Sequence, residues 1–123
     1  MATRAFPAGS PYAGDLFRHT GHPILVPGTM GTSSYVLVAN PESLSISLAS
    51  ACHGAGRRMS RTEAKRTTRG STLKEHFEAA GILIRCDSDA GLAEEAPSAY
   101  KDVDRVVGVL VTAGIARLVA RLA

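Results

Sequence analysis

The segment that organises the rest of the chain reads Ser50-Ala51-Cys52-His53-Gly54-Ala55-Gly56-Arg57-Arg58-Met59-Ser60-Arg61. It sets one histidine directly before Gly-Ala-Gly and a cluster of arginines. The glycines lack a Cβ, so their backbone can take positive φ and turn N–H groups toward an anion. Guanidinium groups add charge and a planar donor fork that fits phosphate oxygens. Because imidazole is nucleophilic and neutral near pH 7, the segment indicates phosphate chemistry at His53. A solvated Gly-rich turn with a surface histidine is the alternative at this point.

The composition indicates one ordered domain with a local positive charge. Of its 123 residues, 45% are hydrophobic and 20% are charged, which argues against disorder. Residues 1–123 are therefore interpreted as a single domain, with residues 1–22 mostly loop because they are rich in Pro, Gly, Ala and Ser. The net charge is +3, but residues 57–69 hold six Lys and Arg against one Glu, which leaves −2 for the remainder. Such a patch favours a polyanion such as a nucleotide or RNA, although a solvated helix face has the same pattern.

The cysteine count and the apolar runs point to a cytoplasmic protein without a membrane partner. Cys52 and Cys86 are too few and too far apart for a disulfide framework or a zinc site, and suit buried thiols in a reducing compartment. The N-terminus lacks the apolar core of a signal peptide. The most apolar run, residues 106–116, is shorter than the roughly 20 residues needed to span a bilayer.

Four segments have the composition of strands. Residues 23–26 and 35–39 are short runs rich in β-branched or aromatic residues, and residues 43–48 alternate Ser with Leu or Ile. Residues 82–84 are an apolar run that we interpret as a buried strand. The alternating segment leads into Cys52 and His53, which suggests a reactive group placed at a strand end.

Helices are predicted in the second half of the chain. Ser60-x-x-Glu63 has the spacing of a capping box, and Gly70 is expected to end the helix that begins there. Ser71 or Thr72 is expected to cap a second helix through Ala80. The strongest helix, 99–113, is followed by a segment that is ambiguous between helix and strand. The predicted fold is α+β, a mixed sheet with two or three helices. Residues 90–97 are interpreted as a loop with two solvated glutamates, Glu94 and Glu95.

Other chemistries fit the sequence less well. No HExxH, CxxC or Gly-Lys-Ser/Thr motif is present, so we expect neither a complete metal site nor a P-loop. Cys52 is a possible nucleophile, but no orienting carboxylate is evident. A histidine attacking a phosphorus centre remains, with backbone donors for the oxygens and cations for the developing charge.

Three segments together resemble the RtcB-type RNA-splicing ligases. Residues 51–57 with 59–62 resemble the signature of that family, and residues 23–36 resemble its second nucleotide-binding segment. Residues 92–97 with 99–104 are similar to a third segment. The segments occur in family order, and nearly the whole chain from Ala2 onward can be aligned.

The resemblance implies a reaction and a set of site residues. The family joins an RNA 3′-phosphate or 2′,3′-cyclic phosphate end to a 5′-hydroxyl end, using GTP and manganese. The resemblance implies that His53 accepts the guanylyl group from GTP and that tRNA halves or broken RNA are the substrates. The implied guanosine pocket comprises Pro27, Gly28, Thr29, Met30, Ser34 and Tyr100. The residues expected around phosphate are Gly54, Ala55 and Gly56, with Arg57, Arg58 and Arg61 as phosphate- or RNA-binding cations.

The resemblance also implies an incomplete enzyme. Family members are several times longer, and their manganese ligands lie upstream of the residues present here. Met1 falls within a motif that the family runs continuously. The chain is therefore expected to be the C-terminal portion of the ligase fold, inactive without the N-terminal part and with no metal ligand of its own. The alternative is a non-catalytic nucleotide- or RNA-binding fragment, or one half of a split ligase.

Overall fold

The computed structural model describes residues 2–122. Met1 and Ala123 lie outside the described residues. That residues 1–123 form a single domain therefore stays a prediction. The described residues form two compact units, one of residues 2–28, 33–55 and 102–122, and the other of residues 29–32 and 56–101. Both units contain helices, and the first contains two antiparallel sheets. The predicted α+β class is confirmed, while the sheets are antiparallel rather than mixed.

The first unit is built on a three-stranded sheet in the order β2 (Pro23–Val26), β3 (Ser34–Ala39) and β5 (Ala116–Leu122). Two of these strands were predicted, and the third is the segment that the sequence left ambiguous. Ile24, Val26 and Leu37 are fully buried on one face of the sheet. Alternate residues of β2 point to opposite faces, so a four-residue strand supplies two core side chains.

Helix α6 (Val103–Thr112) belongs to the core of the first unit. Val103, Val107 and Leu110 are buried at i, i+4 and i+7, in the same cluster as the sheet residues. The helix begins four residues later than predicted because the Asp102 carboxylate accepts hydrogen bonds from the Asp104 and Arg105 N–H groups at its start. The segment before it contains a short 3₁₀ helix, Pro97–Ala99.

The remaining elements of the first unit are β1 (Ala2–Arg4), α1 (Gly14–Phe17), α2 (Ser43–Ser47) and β4 (Ser50–Cys52). The strands β1 and β4 pair antiparallel, and α1 is a short helical turn within the first 22 residues, which were predicted to be mostly loop.

The prediction of a strand at residues 43–48 is wrong, because α2 occupies most of it. The backbone carbonyls of residues 40–42 accept hydrogen bonds from the N–H groups of residues 43–46, which forms a helical turn. The Ser45 and Ser47 hydroxyls also donate to backbone carbonyls of this turn. A strand with this alternation would bury Leu44 and Ile46 on one face, but their side chains are 44% and 53% exposed. A period of two over six residues was therefore too short a signal to exclude this local hydrogen bonding.

The second unit consists largely of three helices, α3 (Arg61–Thr67), α4 (Gly70–Ala79) and α5 (Asp89–Glu94). The predicted start of α3 is confirmed, since the Ser60 hydroxyl accepts from the Glu63 N–H at 3.1 Å. The predicted cap of α4 is wrong, because the helix begins at Gly70 itself and Arg69 is its N-cap residue. Gly70 lies so close to α5 that a Cβ there would be 2.0 Å from the Asp89 carbonyl oxygen.

Two further predictions in this unit are wrong. Residues 82–84 form no strand, because the Ile82 N–H donates to the Phe77 carbonyl as part of the C-terminal turn of α4 around Gly81, where φ is +77°. Residues 90–97 are not all loop, because α5 begins at Asp89, where the Ser88 hydroxyl accepts from the Gly91 N–H. Leu83 is 77% exposed, whereas Leu92 of α5 is buried.

None of the helices within residues 2–122 is both long enough and apolar enough to cross a membrane.

Candidate functional site

The predicted site residues fall in both compact units. The first unit contains Pro27, Gly28, Ser34, His53, Gly54 and Ala55. The second contains Thr29, Met30, Gly56, Arg57, Arg58, Arg61 and Tyr100.

His53 directly follows β4 in the first unit. The strand buries Ala51 and half-buries Cys52, whereas the His53 side chain is exposed. Within residues 2–122 the imidazole has no hydrogen-bond partner. The expectation of a histidine at a strand end is therefore confirmed, although the strand is β4 and not the alternating segment before it.

Gly54 and Ala55 lie beside Pro27. The Ala55 N–H donates to the Pro27 carbonyl at 3.2 Å, and a Cβ on Gly54 would come no closer than 3.8 Å to Pro27. Ala55 is buried, which holds the segment after His53 on the core. Gly54 does not take positive φ, whereas Gly56 does, at +75°. Because the Ala55 N–H is already bonded within the protein, it is not a free donor for an anion in this conformation.

A second contact ties the end of β2 to the start of β3. The Gly28 N–H donates to the Ser34 hydroxyl at 3.4 Å. Thus four residues of the implied nucleotide-binding set, Pro27, Gly28, Ser34 and Ala55, are joined by two hydrogen bonds inside one unit.

In the second unit, Thr29 and Met30 belong to a tight turn. The Thr29 N–H donates to the Thr32 hydroxyl at 2.6 Å, and the Thr32 N–H donates to the Thr29 carbonyl at 3.0 Å. Gly31 takes φ of +72° and lies against Phe77, where a Cβ would be 2.6 Å from the ring. The Thr29 and Thr32 hydroxyls are used within the turn.

The segment that contains Gly56 and the first arginines pairs with the segment around Tyr100. The Lys101 N–H donates to the Gly56 carbonyl, and the Arg58 N–H donates to the Ala99 carbonyl, both at 2.9 Å. Arg57 and Tyr100 form the intervening antiparallel bridge. Two of the three resembling segments are therefore held together by backbone hydrogen bonds.

The guanidinium of Arg57 makes four hydrogen bonds to partners from its own unit. Its Nη2 donates to the Glu94 carbonyl at 2.6 Å, and its Nη1 donates to the Tyr100 hydroxyl at 2.9 Å. Its Nε donates to the Met59 carbonyl at 3.3 Å, and the Glu95 carboxylate lies 3.5 Å from Nη1. The guanidinium carbon lies 4.6 Å from the centre of the Tyr100 ring, a cation–π contact. Arg57 therefore organises this segment in addition to its predicted role toward phosphate.

Tyr100 is half-buried, and its hydroxyl donates to the Glu95 carboxylate. Burial raises the pKa of Tyr100 above its usual 10.0, and the acceptor Glu95 raises the pKa further. The phenol is consequently neutral near pH 7, with the Arg57 guanidinium over its ring and the Glu95 carboxylate at its hydroxyl.

Sequence reasoning missed the part played by Glu94 and Glu95. These residues were interpreted as solvated, but Glu94 accepts from the Lys65 ammonium at 2.8 Å and lies 3.5 Å from Arg61 Nε. Glu95 lies 3.7 Å from the same Arg61 nitrogen. The hydrogen bond from Lys65 is the largest cause of a lowered pKa at Glu94. The available signal was the i, i+4 spacing of Arg61 and Lys65, which places two cations on one face of α3.

Arg58 differs from its neighbours. Its side chain is exposed, and its Nε donates to the Ser98 carbonyl at 2.9 Å. No carboxylate lies within 4.0 Å of it among residues 2–122. Of the three predicted phosphate-binding arginines, Arg57 and Arg61 have carboxylate partners and Arg58 does not.

The donors of the described residues do not fit manganese. Nowhere in residues 2–122 do three His, Cys, Asp or Glu side chains converge on a point that could hold a metal ion. Cys52, beside His53, is also poorly suited as an anionic ligand or nucleophile, because burial raises its pKa.

Comparison with known proteins identifies the family. The family model described as tRNA-splicing ligase RtcB matches residues 1–123. A tRNA-splicing ligase RtcB of Thermococcus kodakarensis is 51% identical over 98% of this chain, and one of Archaeoglobus fulgidus is 50% identical over 98%. One of Nanoarchaeum equitans is 42% identical, again over 98% of the chain.

The match covers about a quarter of each relative, 25% in all three cases. The matched part is a C-terminal portion of those proteins. The match includes every residue of the predicted site, from Pro27 to Tyr100. This chain therefore belongs to the RtcB family of tRNA-splicing ligases.

Proposed function

We propose that this chain provides the nucleotide-accepting histidine and part of the guanosine-binding surface of a GTP-dependent RNA ligase. The observation that carries the proposal is the exposed imidazole of His53 at the end of β4, in a member of the RtcB family. Support also comes from Pro27, which accepts the Ala55 N–H and so links two of the segments that the family resemblance assigns to nucleotide binding.

The reaction would proceed through a phosphoramidate. An imidazole nitrogen of His53 attacks the α-phosphorus of GTP, a P–N bond forms, and the bond to pyrophosphate breaks. An RNA 3′-phosphate oxygen then takes the guanylyl group and regenerates the imidazole. Finally, the 5′-hydroxyl of the second RNA attacks the activated phosphate, loses its proton and releases GMP. The products are a 3′–5′ phosphodiester, GMP and the pyrophosphate released in the first step.

We further propose that the chain does not perform these steps alone. Transfer at phosphorus needs cations to offset the charge that develops on the oxygens. Arg57 and Arg61 are already bound to Glu94 and Glu95. Manganese, which the family resemblance implies, would supply that charge in the ligase, and its ligands would come from another part of the ligase.

A labelling experiment tests the proposal. The chain is incubated with manganese and GTP labelled at the α-phosphate, alone and after mixing with the N-terminal three quarters of the Thermococcus kodakarensis relative. We expect no label on the chain alone. With the added polypeptide we expect acid-labile, alkali-stable label, as for a phosphoramidate.

Matched variants assign the label. H53Q should abolish it, whereas H19Q, which changes another exposed histidine, should retain it. Label that survives in H53Q would overturn the assignment of the nucleophile. Label on the unmixed chain would overturn the proposed inactivity.

A GMP-binding measurement beside the labelling experiment decides the second candidate function, a non-catalytic nucleotide- or RNA-binding fragment. The observation that favours it is the internal pairing of Arg57 and Arg61. Equilibrium binding of GMP without labelling in either mixture would support this second function and exclude a split ligase with that partner.

A further inference from the structure

The basic cluster of residues 57–69 divides into two parts in the second unit. Arg57, Arg61 and Lys65 are bound to Glu94 or Glu95 at distances from 2.8 to 3.7 Å. Arg69, at the other end, is exposed and has no carboxylate within 4.0 Å among residues 2–122. Among residues 2–122, positive charge without a carboxylate within 4.0 Å is therefore found at Arg69 as well as at Arg58 and Arg66.

Arg69 lines a groove between the end of α3 and the start of α4. The groove has a volume of about 620 Å³ and is open to solvent. Its lining consists of Thr67, Thr68, Arg69, Thr72, Leu73 and His76. We name this surface the Arg69 groove. It combines a guanidinium, an imidazole and three hydroxyls, and no carboxylate lines it.

Most of these polar groups are available to a ligand. The Thr67 hydroxyl is used inside α3, where it donates to the Glu63 carbonyl at 3.0 Å. The Thr68 and Thr72 hydroxyls and the Arg69 guanidinium have no hydrogen-bond partner within the part of the chain that the structure describes. A guanidinium with adjacent hydroxyls is the donor set that binds phosphate oxygens.

A neighbouring depression lacks this character. It has a volume of about 290 Å³, and it also touches Thr68 and Arg69, but its lining includes Asp89 and Lys65. The Lys65 ammonium is already bound to Glu94. An anion in that depression would face a carboxylate and a neutralised lysine, so the Arg69 groove is the more favourable side.

We propose that the Arg69 groove binds the phosphate backbone of an RNA strand. The identification of the polymer as RNA rests on the proposed function, whereas the choice of a phosphate backbone rests on the groove. Its open shape suits a continuous strand. Its donors would contact phosphates without reading bases, so binding is independent of sequence. The contact adds an RNA-holding surface to the nucleotide-accepting role proposed for His53.

Fluorescence anisotropy of the chain with a short labelled single-stranded RNA tests this inference. R69Q removes the charge and leaves the polar length of the side chain. For single-stranded RNA, the loss of one phosphate contact makes the plot of log K against log salt concentration less steep by about 0.7. Taking equal RNA affinities for R69Q and the unmodified chain at about 1 M salt, this difference in slope makes R69Q bind roughly eightfold more weakly at about 50 mM salt. We expect both changes, equally for two RNAs of different sequence.

The controls are R85Q and R69K. Arg85 is an exposed arginine of the same unit outside the groove, so R85Q should bind like the unmodified chain. R69K keeps the charge and should retain the salt slope. Thermal unfolding followed by circular dichroism should be the same for R69Q and R85Q. Equal RNA affinity of R69Q and R85Q would overturn the inference, as would a chain that does not bind RNA.

Competitors separate the sources of the anionic chemistry. Inorganic phosphate at matched ionic strength should not displace the RNA. Displacement by phosphate, or by polyglutamate with the same sensitivity to R69Q, would mean a general anion surface and would also overturn the inference. Histidine labelling is a separate readout. If R69Q reduces RNA binding while His53 is not labelled in any mixture, the groove stands and the ligase proposal fails. If His53 is labelled but R69Q does not reduce RNA binding, the ligase proposal stands and the groove proposal fails.

Discussion

Adding the same methyl group at two glycines should change stability in opposite directions. Gly70 is the first residue of α4, and a Cβ there would lie 2.0 Å from the Asp89 carbonyl oxygen and 2.6 Å from its carbon. Both atoms are backbone, so no side-chain rotation relieves the overlap. Gly108 lies inside α6, is exposed, and would place a Cβ with nothing within 4 Å.

The two magnitudes follow from these surroundings. For G108A, the gain is the helix preference of Ala over Gly, about 0.8–1 kcal/mol. For G70A, α4 and α5 must separate by roughly an ångström or more to reach normal contact, and such overpacking costs about 1–3 kcal/mol. Neither glycine has positive φ, so the difference is one of space and not of backbone strain.

Urea unfolding followed by far-UV circular dichroism measures both variants, and hydrogen exchange locates the change. G70A should lower protection in α4 and α5, and G108A should raise it in α6. The two residues belong to different units, so separate transitions are interpreted unit by unit. A cost below about 0.5 kcal/mol for G70A, the usual range for neutral surface changes, would refute the packing argument. A loss of stability in G108A would refute the propensity argument.

Three further predictions concern single groups. The hydrogen bond from Lys65 lowers the pKa of Glu94 from its usual 4.5, so the unfolded chain binds more protons than the folded chain and the free energy of unfolding falls as the pH drops below 4.5. Acid unfolding should therefore be less steep in E94Q, and equal steepness would contradict this. Burial raises the pKa of Cys52, whereas Cys86 is exposed. A thiol reagent at about pH 8, near the usual thiol pKa, should therefore modify Cys86 first. A rapid phase of thiol modification that persists in C86S would refute the assignment. Leu48 has φ of +52° and a side chain that is 72% exposed. L48G should relieve about 1–2 kcal/mol of strain against about 0.5–1 kcal/mol of added chain entropy, for a net gain in urea unfolding that a measured loss would exclude.

Local features of the fold could be predicted where neighbouring residues form the relevant bonds. The Ser60 cap of α3 uses a hydroxyl and an N–H three residues apart, so no distant residue has to be known. The strand at 23–26 is likewise confirmed. The strand predicted at residues 43–48 is wrong because the backbone found equally local partners in a helical turn.

The sequence also predicted part of the candidate site. The motif indicated His53 as an accessible histidine, and the structure exposes it after a strand. Its role toward GTP stays a prediction. The sequence did not show that Ala55 donates to Pro27, or that Gly54 lacks positive φ, because both depend on how segments far apart in the chain lie against each other.

By itself, the sequence determined the α+β class, the order of the resembling segments and the family, because residue identity and spacing are sufficient for these. Tertiary structure decided which charges remain available to a ligand. Arg57 and Arg61 meet Glu94 and Glu95 across more than thirty residues of chain, whereas Arg69 does not. Ion pairing depends on distances of a few ångströms, and only folding brings these groups within that range.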